Sequence, residues 1–230
     1  MNRFDQLIKT LETTHPDDWW IKAFCSERKE DDAFADKIKT YRRALEKLDD
    51  ESWRILKNKA TESFKQNIVR RGKLPFFNLL NEALAYEYLT ESGKENVRLL
   101  IESQKQKTPD ISFYCNEHAL FCEVKTISES EVELDRYNSD NLVSNFEYSS
   151  LGEGLFKKLS STIDRAIEQL PTSSAKNLIY ILLSFDDFVG FYYEKYIREI
   201  DKFLKGKYPE NSIYIRVGLV ERANINHVPQ

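Results

Sequence analysis

Apolar residues recur with a helical period through the first third of the chain. Phe34, Ile38, Tyr41, Leu45 and Leu48 fall at i, i+4, i+7, i+11 and i+14, one face of a helix; Trp53, Leu56, Ala60, Phe64 and Ile68 continue the stripe approximately. Asp17 and Asp18 follow Pro16 and precede Trp19-Trp20, a helix-start signal. Residues 1–72 are therefore read as a helical region, a cap or a bundle. After Gly72 the pattern changes. Pro75 opens a helix predicted over 76–92, with Gly93 as its C-terminal stop. Strands are predicted over 96–101, 111–115 and 120–127. A helix over 155–170, ended by Pro171, leads to a buried strand over 177–185, a helix over 191–204 and a last strand over 213–220. The predicted order from residue 76 is α-β-β-β-α-β-α-β, an α/β domain over 73–230.

Composition narrows the function classes. The 230 residues include only 7 glycines, about 3% and under half the usual ~7%, which disfavours Gly-rich phosphate loops and Gly-punctuated repeats. No G-x-x-x-x-G-K-[ST] pattern is present. The longest aliphatic-aromatic run, 178–183, is far short of the ~20 residues of a membrane helix. The first residues lack an apolar h-region, so no secretory signal is expected. Three cysteines without a CxxC pair and three scattered histidines argue against a zinc site or a disulfide framework and fit the reducing cytoplasm.

The net charge of −4 hides two opposed segments. Residues 54–73 carry Arg54, Lys57, Lys59, Lys65, Arg70, Arg71 and Lys73 against Glu62, a local +6. Residues 128–153 carry seven acids and one arginine, a local −6, in a polar stretch long enough to be a functional insertion. The basic run reads as a phosphate contact or a solvated helix face. The acidic stretch reads as a movable lid or a protein-partner contact.

The chemistry concentrates in Pro109-Asp110 and, after twelve intervening residues, Glu123-Val124-Lys125. Side chains alternate faces along a strand. A two-residue turn at Glu117-His118 would pair residues summing to 235, placing Asp110 opposite Lys125 and Ser112 opposite Glu123. Asp110, Glu123 and Lys125 then share one face, while Ile111, Phe113, Cys115, Leu120, Cys122 and Val124 share the other. Two carboxylates about 4 Å apart repel by ~4 kcal/mol at an effective dielectric of 20, which invites a hard divalent cation: Mg²⁺, with Mn²⁺ as the alternative. Such a cation activates water and screens charge on a phosphodiester, and a neighbouring lysine can orient that water. A second match, Pro16-Asp17 with Glu27-Arg28-Lys29, lacks strand character and an apolar alternate face.

These residues and this element order resemble the PD-(D/E)XK nuclease superfamily. The resemblance covers roughly 76–220 and implies a restriction-endonuclease-like α-β-β-β-α-β core, a mixed central sheet flanked by helices, here with a helical N-terminal extension. It also implies a metal-binding glutamate on the first core helix. Glu82, in Asn81-Glu82-Ala83-Leu84-Ala85-Tyr86-Glu87, stands where that glutamate would be, with Glu87 as the rival. The eleven residues from Glu82 to Gly93 are similar to the pattern of archaeal Holliday-junction resolvases. The implied activity is Mg²⁺-dependent hydrolysis of DNA by an endonuclease, with Glu82, Asp110 and Glu123 as metal ligands and Lys125 completing the catalytic set.

Other readings stay open. Glu123 and Lys125 could be an exposed strand face with cross-strand pairs. The chain could keep the fold and bind nucleic acid or a protein partner, the latter through 128–153, without cleaving. It could cleave RNA, whose backbone presents the same phosphate. Lys157, Lys158, Arg165 and Gln169, on the helix after the acidic stretch, read as phosphate contacts or as a solvated helix face.

Overall fold

In the computed structural model, the described residues are 1–26, 32–103, 107–128, 151–171, 176–184, 192–219 and 223–229, without the side chains of 26 and 32–34. Among them the chain forms seven helices and six strands: α1 (Arg3–Thr14), α2 (Trp19–Ser26), α3 (Asp32–Lys47), α4 (Asp50–Ser63), α5 (Leu74–Glu91), β1 (Glu95–Leu99), β2 (Ile111–Cys115), β3 (His118–Ile127), α6 (Glu153–Gln169), β4 (Leu178–Leu183), α7 (Tyr193–Lys207), β5 (Ser212–Val217) and β6 (Ala223–His227). The class is α/β, and the strands follow chain order in a mixed six-stranded sheet. By packing, the chain falls into two compact units, Met1–Ile101 with Asp110–Ala119, and Glu102–Pro109 with Leu120–Gln230. This is a different division from the 72/73 boundary read from the change of hydrophobic pattern after Gly72.

The first unit is built around α5. Phe76, Leu80, Ala83, Leu84, Ala85, Tyr86 and Leu89 are all buried, so this helix is enclosed on every side rather than along one stripe. Pro75 sits in its first turn, where a missing N–H costs nothing. Gly93 ends it at φ +71°, a left-handed position suited to glycine, and Lys94 N–H returns to the Leu89 carbonyl at 3.0 Å. The helical stripe predicted over 34–68 is interrupted. Ile38, Tyr41, Leu45 and Leu48 are buried from α3, and Leu56, Ala60 and Phe64 from α4 onward. Asp49 breaks the run, because its carboxylate accepts the Ser52 N–H at 2.7 Å and caps a new helix. Asp18 does the same for α2, accepting from Trp20 N–H at 2.9 Å, as the Asp-Asp-Trp-Trp signal predicts. β1 and β2 pair antiparallel, Arg98 with Ser112 and Leu99 with Ile111.

The chain reverses between β2 and β3 at Asn116 and Glu117, with φ +49° and +65°. Two successive left-handed residues are what a two-residue hairpin with correct strand twist requires. The turn thus lies one residue before the predicted Glu117-His118. Cys115 and His118 flank it, so the turn from which the pairings of Asp110 with Lys125 and Ser112 with Glu123 were drawn is not the one the chain forms. Asn tolerates the left-handed region, but without a glycine the sequence marks the turn weakly.

The second unit pairs β3 with β4 and β4 with β5 in parallel, and β5 with β6 antiparallel. β4, Leu-Ile-Tyr-Ile-Leu-Leu, is buried at every position, as a parallel strand covered on both faces is. Ile127, Ile179, Ile181, Leu183, Ile213, Ile215, Val217 and Ile225 pack with Leu159, Ile163 and Ala166 of α6 and Ile200 and Leu204 of α7 in one core. The expected order is present, α5-β1-β2-β3-α6-β4-α7-β5, and β6 extends it. The predicted last strand stops at Val217 because Gly218 turns the chain at φ +79°. β6 carries a single large aliphatic residue, Ile225, between two asparagines, too short an alternation to read as a strand. Residues 129–150, most of the predicted acidic insertion, lie outside the described residues.

Candidate functional site

The first unit holds Glu82 and Asp110. Glu82 lies on the enclosed part of α5 and is 4% exposed. Lys59 of α4 supplies the compensating charge: its Nζ donates to both Glu82 oxygens, at 2.9 and 3.0 Å. The rival Glu87 is equally buried, and Arg43 of α3 grips it with two parallel bonds, Nε at 2.7 Å and a terminal nitrogen at 3.1 Å. Burial therefore does not separate the two glutamates. Each is neutralised by a cation from the 1–72 region. Asp110 is half-buried at the entrance to β2, where its carbonyl accepts the Leu100 N–H at 2.8 Å.

The second unit holds Glu123 and Lys125, and here two predicted site residues do meet. They point to the same side of β3, and Lys125 Nζ donates to Glu123 Oε1. It also donates to Gln169 Oε1 at 2.7 Å. The register shows how unusual this pair is. Glu123 lies in a row with Ile179, Ile213 and His227, Lys125 with Ile181, Ile215 and Ile225, and Ile127 with Leu183 and Val217. The pair thus occupies two positions of a face that is otherwise aliphatic apart from buried His227 on the edge strand, and that is covered by α6 and α7. Glu123 is 1% exposed, which excludes the reading of a solvated strand face. Burying a charge costs several kcal/mol unless it is paired and bonded, and a matched apolar pair there would cost nothing of the kind.

Gln169 is the residue the sequence reading placed least well. It stands at the end of α6, and α6 ends there because Pro171 follows. Asn177 fixes that end to β3. Its Oδ1 accepts the Phe121 N–H at 3.0 Å, and its Nδ2 donates to the Pro171 carbonyl at 2.9 Å. A buried Asn bonded on both sides to backbone of two different elements sets where the helix stops, and so where Gln169 meets Lys125. The available signal was an Asn directly before an all-apolar strand. Lys107, two residues before Pro109, pairs with Glu168 at 3.0 Å on the surface beside it.

The basic run 54–73 is not uniform. Lys59 serves Glu82, and Lys73 is buried, bonded to Asp18 and to the Phe64 carbonyl at 2.7 Å with its Nζ 4.0 Å from the Phe64 ring centre. Arg54, Lys65 and Arg70 are exposed. Burial alone would push the Asp18 carboxyl up, but the bond and charge of Lys73 and the N–H groups of Trp20 and Ile21 together hold it below its ordinary value. Cys122 is buried as expected, whereas Cys115 is only half-buried and takes a bond from Lys94 Nζ at 3.2 Å.

Among the described residues, no group of three or more His, Cys, Asp and Glu side chains is gathered as a metal cluster. Glu82, Asp110 and Glu123 are oxygen donors throughout, the ligand chemistry of a hard cation such as Mg²⁺. The two buried ones are each bonded to a lysine ammonium. Family models, curated proteins and solved structures were compared with the chain, and none matches.

Proposed function

We propose that the chain is a metal-dependent nuclease of the restriction-endonuclease-like fold that hydrolyses DNA phosphodiester bonds. The observation that carries this reading is the buried Glu123–Lys125 pair, set two residues apart on β3 at positions whose neighbours in the sheet are isoleucines. A charge pair kept where aliphatic packing would be more stable is a mark of chemistry rather than of stability. The element order α5-β1-β2-β3-α6-β4 supports the same assignment.

Glu82, Asp110 and Glu123 would hold the cation, Mg²⁺ or Mn²⁺, which when bound supplies a water of lowered pKa and Lewis-acid stabilisation of the phosphate. Lys125 donates hydrogen bonds from a fixed amine, which orients the attacking water and offsets charge that builds on the phosphate oxygens. Gln169 restricts where that amine sits. Water is the nucleophile, so no covalent adduct forms. The test is incubation of the purified chain with circular single- and double-stranded DNA and with RNA, in Mg²⁺, Mn²⁺ or EDTA, beside Glu123→Gln and Lys125→Met. Metal-dependent nicking lost in both variants supports the reading. Cleavage that persists in Lys125→Met removes it.

One observation favours a non-cleaving nucleic-acid-binding protein instead: both oxygens of Glu82 are already bonded to Lys59. Binding without metal-dependent cleavage would establish that alternative.

A further inference from the structure

On the surface of the second unit α6 and α7 border a groove of about 470 Å³, a volume in the range of small-molecule sites. Phe156 of α6 and Phe203 of α7 supply its apolar wall, with ring centres 5.1 Å apart, each packed on the core yet only half-buried. Among the described residues its remaining lining comes from α7 alone: Glu199, Lys202, Gly206 and Lys207. With Phe203 these fall at i, i+3, i+4, i+7 and i+8, so one stripe of the helix faces the groove.

Two features of α7 have no explanation in folding. Gly206 stands in its last turn, although glycine is among the poorest helix formers. Nothing lies within 4 Å of where a Cβ would be, and no left-handed φ calls for glycine, so what a side chain there would fill is the groove. The second feature is Lys202. Glu194 pairs with Arg198 at 3.8 Å, Lys195 with Glu199 at 3.8 Å and Asp201 with Lys205 at 2.6 Å. Lys207 lies 3.9 Å from Asp164 of α6 and donates to the Ser160 hydroxyl, and Glu199 also accepts the Leu151 N–H at 3.2 Å. Lys202 is exposed and, among the described residues, is the one charged residue of this helix with no ion pair and no side-chain hydrogen bond.

We propose that this groove binds a small amphiphile with an apolar body and one carboxylate, a free medium-chain fatty acid in chemical class. The hydrocarbon lies on Phe156 and Phe203 and across Gly206, where apolar surface leaves water, and the carboxylate meets Lys202, whose single uncompensated charge suits a monoanion. A nucleic-acid backbone needs a run of free cations, and the other lysines and the arginine of α7 are already paired. A lipid bilayer takes up a broad apolar helix face, whereas this stripe carries Glu199, Lys202 and Lys207.

The proposal is independent of the nuclease reading, since Glu82, Asp110, Glu123 and Lys125 take no part in it, and binding is measured in EDTA without nucleic acid. The full chain is titrated calorimetrically with hexanoate and decanoate below micelle-forming concentrations, with decanol, and with phosphatidylcholine vesicles. Decanoate should bind saturably and better than decanol, with affinity rising by up to about fourfold for each methylene added from hexanoate. Lys202→Gln should weaken decanoate about two- to fivefold and leave decanol unchanged. Gly206→Leu should keep or raise the melting temperature, because leucine is the better helix former and meets open space, while abolishing decanoate binding. Lys202→Gln alters only an exposed side chain, so it keeps the test valid if Gly206→Leu misfolds. No saturable binding of decanoate, decanoate bound no better than decanol by the wild type, unchanged decanoate affinity in either variant, or binding to vesicles in place of free decanoate would each overturn the proposal. Absence of DNA cleavage with decanoate binding intact would count against the nuclease reading alone.

Discussion

Lys59 and Glu82 are joined across α4 and α5 by two bonds from one ammonium to both oxygens of one carboxylate, 2.9 and 3.0 Å. Twenty-three residues separate them in sequence, and the lysine brings its charge from the 1–72 region onto the helix that carries the proposed metal ligand. Removing one partner of a buried pair leaves the other uncompensated, at a cost of about 3–5 kcal/mol. Lys59→Met should therefore lower the denaturation midpoint sharply, and Glu82→Gln in the same chain should restore much of the loss. A role for Glu82 toward metal adds a second outcome. With the competing ammonium gone, Mg²⁺ should raise the melting temperature of Lys59→Met more than that of the wild type. Equal shifts with and without Lys59 would leave Glu82 a structural anion.

Asp18 and Lys73 give a pH dependence with a definite sign. The folded Asp18 carboxyl lies below its ordinary value of 3.8, since Lys73 and the α2 amides outweigh the upward push of burial. A depressed folded pKa contributes stability that is present in full above the unfolded value and is lost as pH falls through the folded one. Asp18→Asn should then cost stability in urea titrations at pH 7 and pH 5 alike, with the gap to wild type closing below about pH 4. A gap that stays constant down to about pH 2.5, well under the unfolded carboxyl range, would mean that the bond geometry, not the charge, is what Asp18 contributes.

Asn177 and Gln169 separate stability from activity. Asn177→Ala strips partners from the Phe121 N–H and the Pro171 carbonyl, and a buried group left unsatisfied costs about 1–3 kcal/mol. Amide exchange at Phe121 should rise with that loss. Gln169→Leu removes only the acceptor of Lys125 Nζ. It should leave the midpoint nearly in place while lowering the rate of cleavage at saturating DNA more than the apparent affinity for it, with partial recovery in Gln169→Glu. If affinity falls instead and the rate holds, Gln169 touches substrate rather than positioning the lysine.

What was legible in the sequence follows from which physical signals are local. The α5 helix announced itself through Pro75 and Gly93 at its two ends, and β4 through six consecutive apolar residues, because each is decided within its own span. The face shared by Glu123 and Lys125 followed from alternation alone. The position of the turn did not, since Asn116-Glu117 lacks the glycine that marks such turns. The partners of Glu82 and Glu87 were also out of reach. They depend on which helices pack against α5, and a lysine in a basic run looks the same whether it meets water or a buried carboxylate. That Glu123 is buried beneath α6 rather than open was hidden for the same reason, as the cover comes from thirty residues later in the chain.

The Glu123–Lys125 pair makes the sharpest contrast between stability and function. Each residue taken alone is needed by the other: Lys125→Met leaves Glu123 buried without its ammonium, and Glu123→Leu leaves an ammonium held only by Gln169. Either single change should destabilise the chain by about 3–5 kcal/mol. Their neighbours in the sheet, Ile179 and Ile181, indicate what the site would hold if packing alone decided it. Glu123→Leu with Lys125→Ile should therefore regain most of that loss and equal or exceed the wild type by about 1–4 kcal/mol, since well-packed apolar groups often replace a buried ion pair without loss of stability. The same double variant should have no metal-dependent cleavage. A chain that becomes more stable as it loses activity is what a functional pair predicts. A double variant as unstable as either single one would instead make the pair a structural element of β3 and α6, and the search for chemistry would move off this strand.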